Sequence, residues 1–213
     1  MTKQRSLVRR LLSPAIRRGT GLARDEQGAV AVEFAILAPF FFAVILAIIE
    51  TSMTFFAQQV LESALQDTTR LIRTGQSQSD TPWTTEDFRK QLCGRAFGFL
   101  ACSATNGATD RLWVKVTPID TFSGATNAIA RPIGNNCSLA SSNPTVDCKW
   151  SIDEEFNDGA GSSVIIAQAF YKWPTLFNVP WFNLADQAGN NRLLSAVRVF
   201  KNEPFGGAPA GTP

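Results

Sequence analysis

Histidine is absent from all 213 residues. That removes the usual general base, the commonest metal ligand and every Ser-His-Asp arrangement. Phosphate-cradling glycine patterns are missing too: no P-loop or dinucleotide fingerprint occurs, and Gly159, Ala160 and Gly161 form only a short glycine turn. There is no Cys-x-x-Cys pair, so a zinc site or a thioredoxin-like site has little support. Charge of one sign is also lacking. The net charge is +2, which gives no global basic field for nucleic acid. These absences point to a non-catalytic chain with no cofactor, no metal, no nucleic-acid partner and no small-molecule substrate.

What the chain does have is one long apolar run. From Ala29 to Ile49 there are 21 residues and a single charge, Glu33. At about 1.5 Å per residue that length spans a bilayer core as a helix. A carboxylate in such a run is costly, roughly 2.5–3.5 kcal/mol at the helix centre and less near the interface, so it reads as functional by default. The flanks differ in charge. Seven basic residues against two acidic ones precede Gly28, whereas from Glu50 onward 13 basic face 15 acidic. The positive-inside rule then keeps the N-terminus in the cytoplasm and places everything after the span outside.

The four cysteines, Cys93, Cys102, Cys137 and Cys148, all lie in that outer part, where an even count favours disulfides. Three connectivities are open, and pairing of sequence neighbours, Cys93 with Cys102 and Cys137 with Cys148, is the expectation. Residues 1–28 read as a basic leader, 29–50 as the transmembrane helix, 51–75 as its outer extension, 76–205 as an α+β domain and 206–213 as a flexible tail. The extension rests on an amphipathic period, with Phe56, Val60 and Ala64 at i, i+4 spacing and Leu61 and Leu65 beside them. Arg70 and Arg73 followed by Gly75 supply the stop. A separate core helix after a break near Thr51–Thr54 is the competing reading.

A second helix is expected from Thr85 to Phe99, capped by Thr84 or Thr85, with Glu86 and Asp87 favouring its dipole. Strands are expected at Leu112–Thr117, Val164–Trp173 and Leu193–Lys201. The fold class is thus α+β, a long N-terminal transmembrane helix continuing into an extracytoplasmic domain with a small antiparallel sheet. Between the first two strands runs a Gly-, Asn- and Ser-rich loop, 123–161, which a Cys137–Cys148 bridge would staple. Within it Asp153, Glu154, Glu155 and Asp158 form the one acidic cluster. Their spacing does not match an EF-hand, and a solvated loop is expected. Trp113, Trp150, Trp173 and Trp181 could line a ligand surface, but at strand positions they are expected in the core.

The basic leader, Gly28, the following Ala-Val-Ala-Val, Glu33-Phe34, then Ala-Ile-Leu-Ala-Pro39 and an apolar run ending in Ile-Ile-Glu50 resemble the TadE-like family of pilus assembly proteins. These are pseudopilins, or minor pilins, of the tight adherence (Tad) system, a type IV-related Flp pilus machine. Tyr171-Lys-Trp-Pro174 and the segment Val199–Phe205 are similar to the same proteins. The resemblance implies membrane anchorage and, in members processed by a dedicated prepilin peptidase, cleavage just after the glycine, here between Gly28 and Ala29. Glu33 would then be the fifth residue of the mature chain. It would lie one turn from the new ammonium of Ala29, or within reach of the ammonium of a neighbouring subunit. Glu33 and Phe34 become the candidate assembly residues, and other pilins or pseudopilins, the Tad machinery and the prepilin peptidase become the candidate partners. Ala29, Ala31, Ala35, Ala38, Ala43 and Ala47 permit close helix approach. Three competitors stand beside this reading. A secretory signal peptide wants a shorter core and no Glu33 or Pro39. A membrane-anchored enzyme lacks a motif. The third is a membrane-anchored extracytoplasmic ligand-binding or adhesion module.

Overall fold

The computed structural model describes residues 26–78, 81–102, 111–141, 143, 148–179 and 182–205. The leader before residue 26, the tail 206–213 and Trp181 lie outside them. Helix α1 covers Glu26–Arg73, 48 residues with Pro39 inside, and no break occurs near Thr51–Thr54. The chain divides into two compact units, one ending at Ile48 and one starting at Ile49, and each is described by itself.

In the first unit the described side chains of α1 face outward, with Val30, Phe34, Phe40 and Val44 among the most exposed large apolar residues. A helix that is apolar all round has the pattern of a core helix or of a membrane span, and here the described residues leave its large apolar side chains exposed. Among the described residues it is the one helix long and apolar enough to cross a membrane.

In the second unit the rest of α1 becomes amphipathic. Its buried stripe is Ala57, Leu61, Ala64, Leu65, Thr68 and Ile72, with steps of three and four. The stripe sits one residue away from part of the expected one: Phe56 is exposed and Val60 is only partly buried, because Ala57 rather than Phe56 lies against the sheet. The helix ends where Gly75 takes φ +78° and donates its N–H to the Ile72 carbonyl at 2.9 Å. The ring of Phe205 lies 2.8 Å from where a Cβ on Gly75 would stand, and the N–H of Glu203 donates to the Arg73 carbonyl at 3.0 Å. The segment Val199–Phe205 thus closes the end of α1.

Helix α2, Thr85–Arg95, opens with a capping box. The Thr84 hydroxyl accepts from the Asp87 N–H, and the Asp87 carboxyl accepts from the Thr84 N–H at 2.9 Å. These bonds, the backbone one foremost, lower the Asp87 pKa below the usual carboxylate value. The helix stops four residues short of Phe99, because Phe97 and Gly98 adopt left-handed backbone, φ +51° and +71°. The Cys93–Cys102 disulfide spans this turn.

The sheet has the order β2-β1-β3-β6, with β1 Leu112–Ile119, β2 Glu155–Phe156, β3 Val164–Pro174 and β6 Asn191–Lys201. The three long strands are antiparallel, Leu112 opposite Tyr171 and Val164 opposite Lys201. The two-residue β2 runs parallel to β1, pairing Lys115 with Glu155, so the sheet is mixed rather than wholly antiparallel. A separate hairpin pairs β4, Asn178–Val179, with β5, Phe182–Asn183. On β3 alternate residues serve two faces. Ile165, Ala167, Ala169 and Tyr171 join Leu61, Leu65, Phe88, Leu92 and Val114 in the main core. Ile166, Gln168 and Phe170 are buried on the other face.

The long Gly- and Asn-rich loop covers that second face. Gln168 receives the Ala130 N–H at 2.7 Å and donates to the Ala128 carbonyl at 3.0 Å, and the Trp113 indole N–H donates to the Ile152 carbonyl at 2.8 Å. The Cys137–Cys148 disulfide closes the loop. Lys172 anchors it again: its ammonium donates to the Cys148 carbonyl at 2.5 Å and lies 3.8 Å from the centre of the Trp150 ring. Burial pushes the Lys172 pKa down to about 8. Of the expected core tryptophans, Trp113 is buried, whereas Trp150 and Trp173 are half-buried.

Candidate assembly segment and the helix junction

Gly28, Ala29, Glu33 and Phe34 all lie on α1. Gly28 is exposed and a Cβ there would meet nothing within 4 Å, so packing inside the chain is not what calls for glycine at this position. Ala29 and Glu33 are four residues apart on one helix, one above the other. Glu33 is exposed, and Phe34, 67% exposed, lies beside it in sequence. Ala31, Ala35 and Ala38 follow at steps of four and three and so share a face, and Ala43 and Ala47 make a second small pair. Between Gly28 and Ile48, α1 therefore offers one carboxyl, Glu33, with Phe34 beside it and two strips of small residues on an otherwise apolar helix. It can pack and it can pair a positive charge.

The second unit holds a site that the sequence reading missed. Glu50, the residue that closes the apolar run, is 2% exposed. Its Oε1 accepts from the Leu176 N–H at 2.7 Å and from the Phe177 N–H at 3.3 Å, while Oε2 is buried without a hydrogen-bond partner. The Thr54 hydroxyl donates to the Glu50 carbonyl at 2.9 Å. One side chain therefore fixes the turn after β3 to the part of α1 that starts at Ile49. An acid directly after an apolar run was the visible signal, but its partner 126 residues away was not legible.

The acidic cluster is not a solvated loop throughout. Glu154 pairs with Arg89, which is 1% exposed, and also accepts the Val114 N–H at 2.9 Å. Arg89 donates in addition to the Leu112 carbonyl at 2.9 Å. Glu155 pairs with Lys115 at 3.0 Å, and Asp158 accepts from the Ser77 hydroxyl at 2.5 Å. Three of the four carboxyls thus diverge to different partners, Glu154 to Arg89, Glu155 to Lys115 and Asp158 to Ser77. Among the described residues no group of three or more His, Cys, Asp or Glu could hold a metal ion.

A cleft of about 440 Å³ opens between Thr51–Gln58 of α1 and the start of β6. Arg192 is the one charged side chain lining it and donates to the Leu184 carbonyl at 3.1 Å, and Gln58 donates to the Ser195 carbonyl at 2.8 Å. Those polar groups are committed to main-chain carbonyls, an arrangement that holds elements together.

No curated protein and no solved structure matches the chain. Residues 28–70, the stretch that holds Gly28, Glu33, Phe34 and Glu50 on a single helix, match the family model described as TadE-like protein, and the chain thus carries a TadE-like segment.

Proposed function

We propose that this chain is a non-catalytic pseudopilin (minor pilin) or assembly factor of a Tad/Flp-type pilus. It is anchored once in the bacterial inner membrane, with its N-terminus cytoplasmic and its α+β domain periplasmic or extracellular. The observation that carries the reading is an overlap. The TadE-like match covers residues 28–70, and within it lies an apolar helix surface that the described residues leave unburied. In the bilayer such a surface gains nothing from hydrophobicity alone, since lipid tails are equally apolar, so association rests on close packing at small residues and on the rare polar group. Ala31, Ala35 and Ala38 supply the first and Glu33 the second.

In this reading the prepilin peptidase cuts between Gly28 and Ala29. Glu33 then neutralises the new ammonium, its own or that of an adjacent subunit, with Phe34 packed beside it. The remaining boundaries follow: 1–28 leader, 29–50 span, 51–75 outer extension, 76–205 domain and 206–213 tail. The test is exchange of Glu33 for Gln and for Ala in cells that make the pilus, with pilus counts and co-purification of pilins as readouts. Loss of both, with the chain still inserted in the membrane, is expected. Normal piliation and partner capture would reject the assembly role.

A further inference from the structure

Among the described residues of the second unit, six of the ten exposed large apolar side chains, Ile49, Met53, Phe55, Phe56, Phe97 and Leu176, lie on the first turns of its part of α1 or on loops tied to them, and the other four lie in the segment 122–152. Leu176 is 75% exposed although the N–H groups of Leu176 and Phe177 are held by the buried Glu50. On α1 itself Ile49, Phe55 and Phe56 are exposed. Phe97 is 92% exposed at the left-handed turn after α2. That turn is fixed to the same stretch of helix: Phe99, two residues on, meets Phe56 at 4.8 Å and Trp173 at 5.5 Å between ring centres. Chemistry and position agree. Residues 173–185 contain no charged residue and read Trp-Pro-Thr-Leu-Phe-Asn-Val-Pro-Trp-Phe-Asn-Leu-Ala. The one charge of α1 between Ile49 and Leu61 is Glu50, and it is buried. From Ile49 to Phe56 the helix rises about 10 Å, enough to cross the roughly 5–8 Å headgroup region on one side of a bilayer. Aromatic side chains are favoured at that depth.

We infer that Leu176 and Phe97, with Phe55 and Phe56, form an apolar collar that enters the interfacial region of the outer leaflet. The occupant of this surface is lipid, and the contact fixes the outer domain against the membrane. The inference rests on the membrane reading above. With no basic cluster in the collar, the contact is apolar and independent of anionic lipid and of salt. Glu50 is the positioning residue, since it aims the Leu176 turn without contacting lipid itself.

The test uses the full chain in phosphatidylcholine liposomes doped with a phospholipid that carries a photoactivatable diazirine high on one acyl chain. Cross-linked peptides are mapped by mass spectrometry. Adducts are expected on the span 29–50 and also on the peptides holding Leu176 and Phe97, unchanged when phosphatidylglycerol or salt is added. Leu176→Asp with Phe97→Asp should abolish the second set while span adducts and both disulfides persist. Adducts confined to the span overturn the collar and leave anchorage intact, and adducts nowhere overturn both. Cross-links from Leu176 to a second copy, without lipid adducts, assign the face to a subunit contact and overturn the lipid inference. A double variant labelled like the parent overturns it as well.

Discussion

Replacing Glu50 with alanine removes the acceptor that holds the turn after β3, and the structure sets the size of the loss. The Leu176 N–H bond at 2.7 Å is well formed, while the Phe177 bond at 3.3 Å is marginal, so about one full bond is at stake. Leaving a buried donor without a partner costs about 1–3 kcal/mol. Deleting a side chain that is 2% exposed adds a small cavity cost, but the exposed Leu176 side chain next door lets water reach part of the gap. A local loss of about 2 kcal/mol is the net expectation. Glu50→Gln behaves differently. It keeps a carbonyl acceptor at the Oε1 position and puts an uncharged amide where Oε2 has no partner, so its cost should stay below about 0.5 kcal/mol. Hydrogen exchange on the full chain in nanodiscs reads both. Amides 176 and 177 should exchange roughly 30-fold faster in the alanine variant, the conversion of about 2 kcal/mol at tenfold per 1.4 kcal/mol, and nearly as in the parent for glutamine. Parental exchange in the alanine variant would refute the tie. Equal acceleration in both variants would show that charge, not acceptor geometry, holds the turn.

Three further outcomes follow from the second unit. Arg89→Met should destabilise it by about 3 kcal/mol by leaving the partly buried Glu154 without its cation, whereas Arg89→Met combined with Glu154→Leu should recover only part of the loss, since the Val114 N–H then lacks its acceptor, as read by urea unfolding followed by tryptophan fluorescence. Lys172 has a folded pKa of about 8, below the ordinary lysine value of 10.5, so unfolding takes up a proton between those values and stability should rise with pH across that window. Lys172→Met should flatten that rise in thermal melts between pH 8 and 10. Cys137→Ser opens a loop of 11-residue separation and should cost up to about 3 kcal/mol, with proteolysis concentrated in 128–152 where the loop leaves the second face of the sheet. Parental protease resistance would show that Gln168 and Lys172 hold the loop without the disulfide.

Much of the architecture is legible from periodicity. The apolar run, the stop at Arg70, Arg73 and Gly75, and the alternation in three strands place α1, β1, β3 and β6 within a few residues. Local patterns fail where a distant residue decides. The buried stripe of α1 is set by Ala57 against the sheet rather than by the larger Phe56, and α2 ends at a left-handed Phe97 that no propensity marks. The acidic cluster looked solvated because Arg89, 65 residues from Glu154, carries no signal of its burial. The two-residue strand β2 is too short to announce itself. Gly28, Glu33 and Phe34 stand out in the sequence as isolated features of an apolar run, whereas the Glu50 tie depends on main-chain groups that any sequence would supply.

The account turns on whether this is a processed pilin-like subunit, and the mature N-terminus tests that most directly. Intact mass and N-terminal sequence would be read on membrane-extracted protein from cells with the prepilin peptidase and from cells lacking it. The account predicts a chain starting at Ala29 when the peptidase is present and a chain retaining residues 1–28 when it is absent. A chain that keeps its leader in both would contradict it.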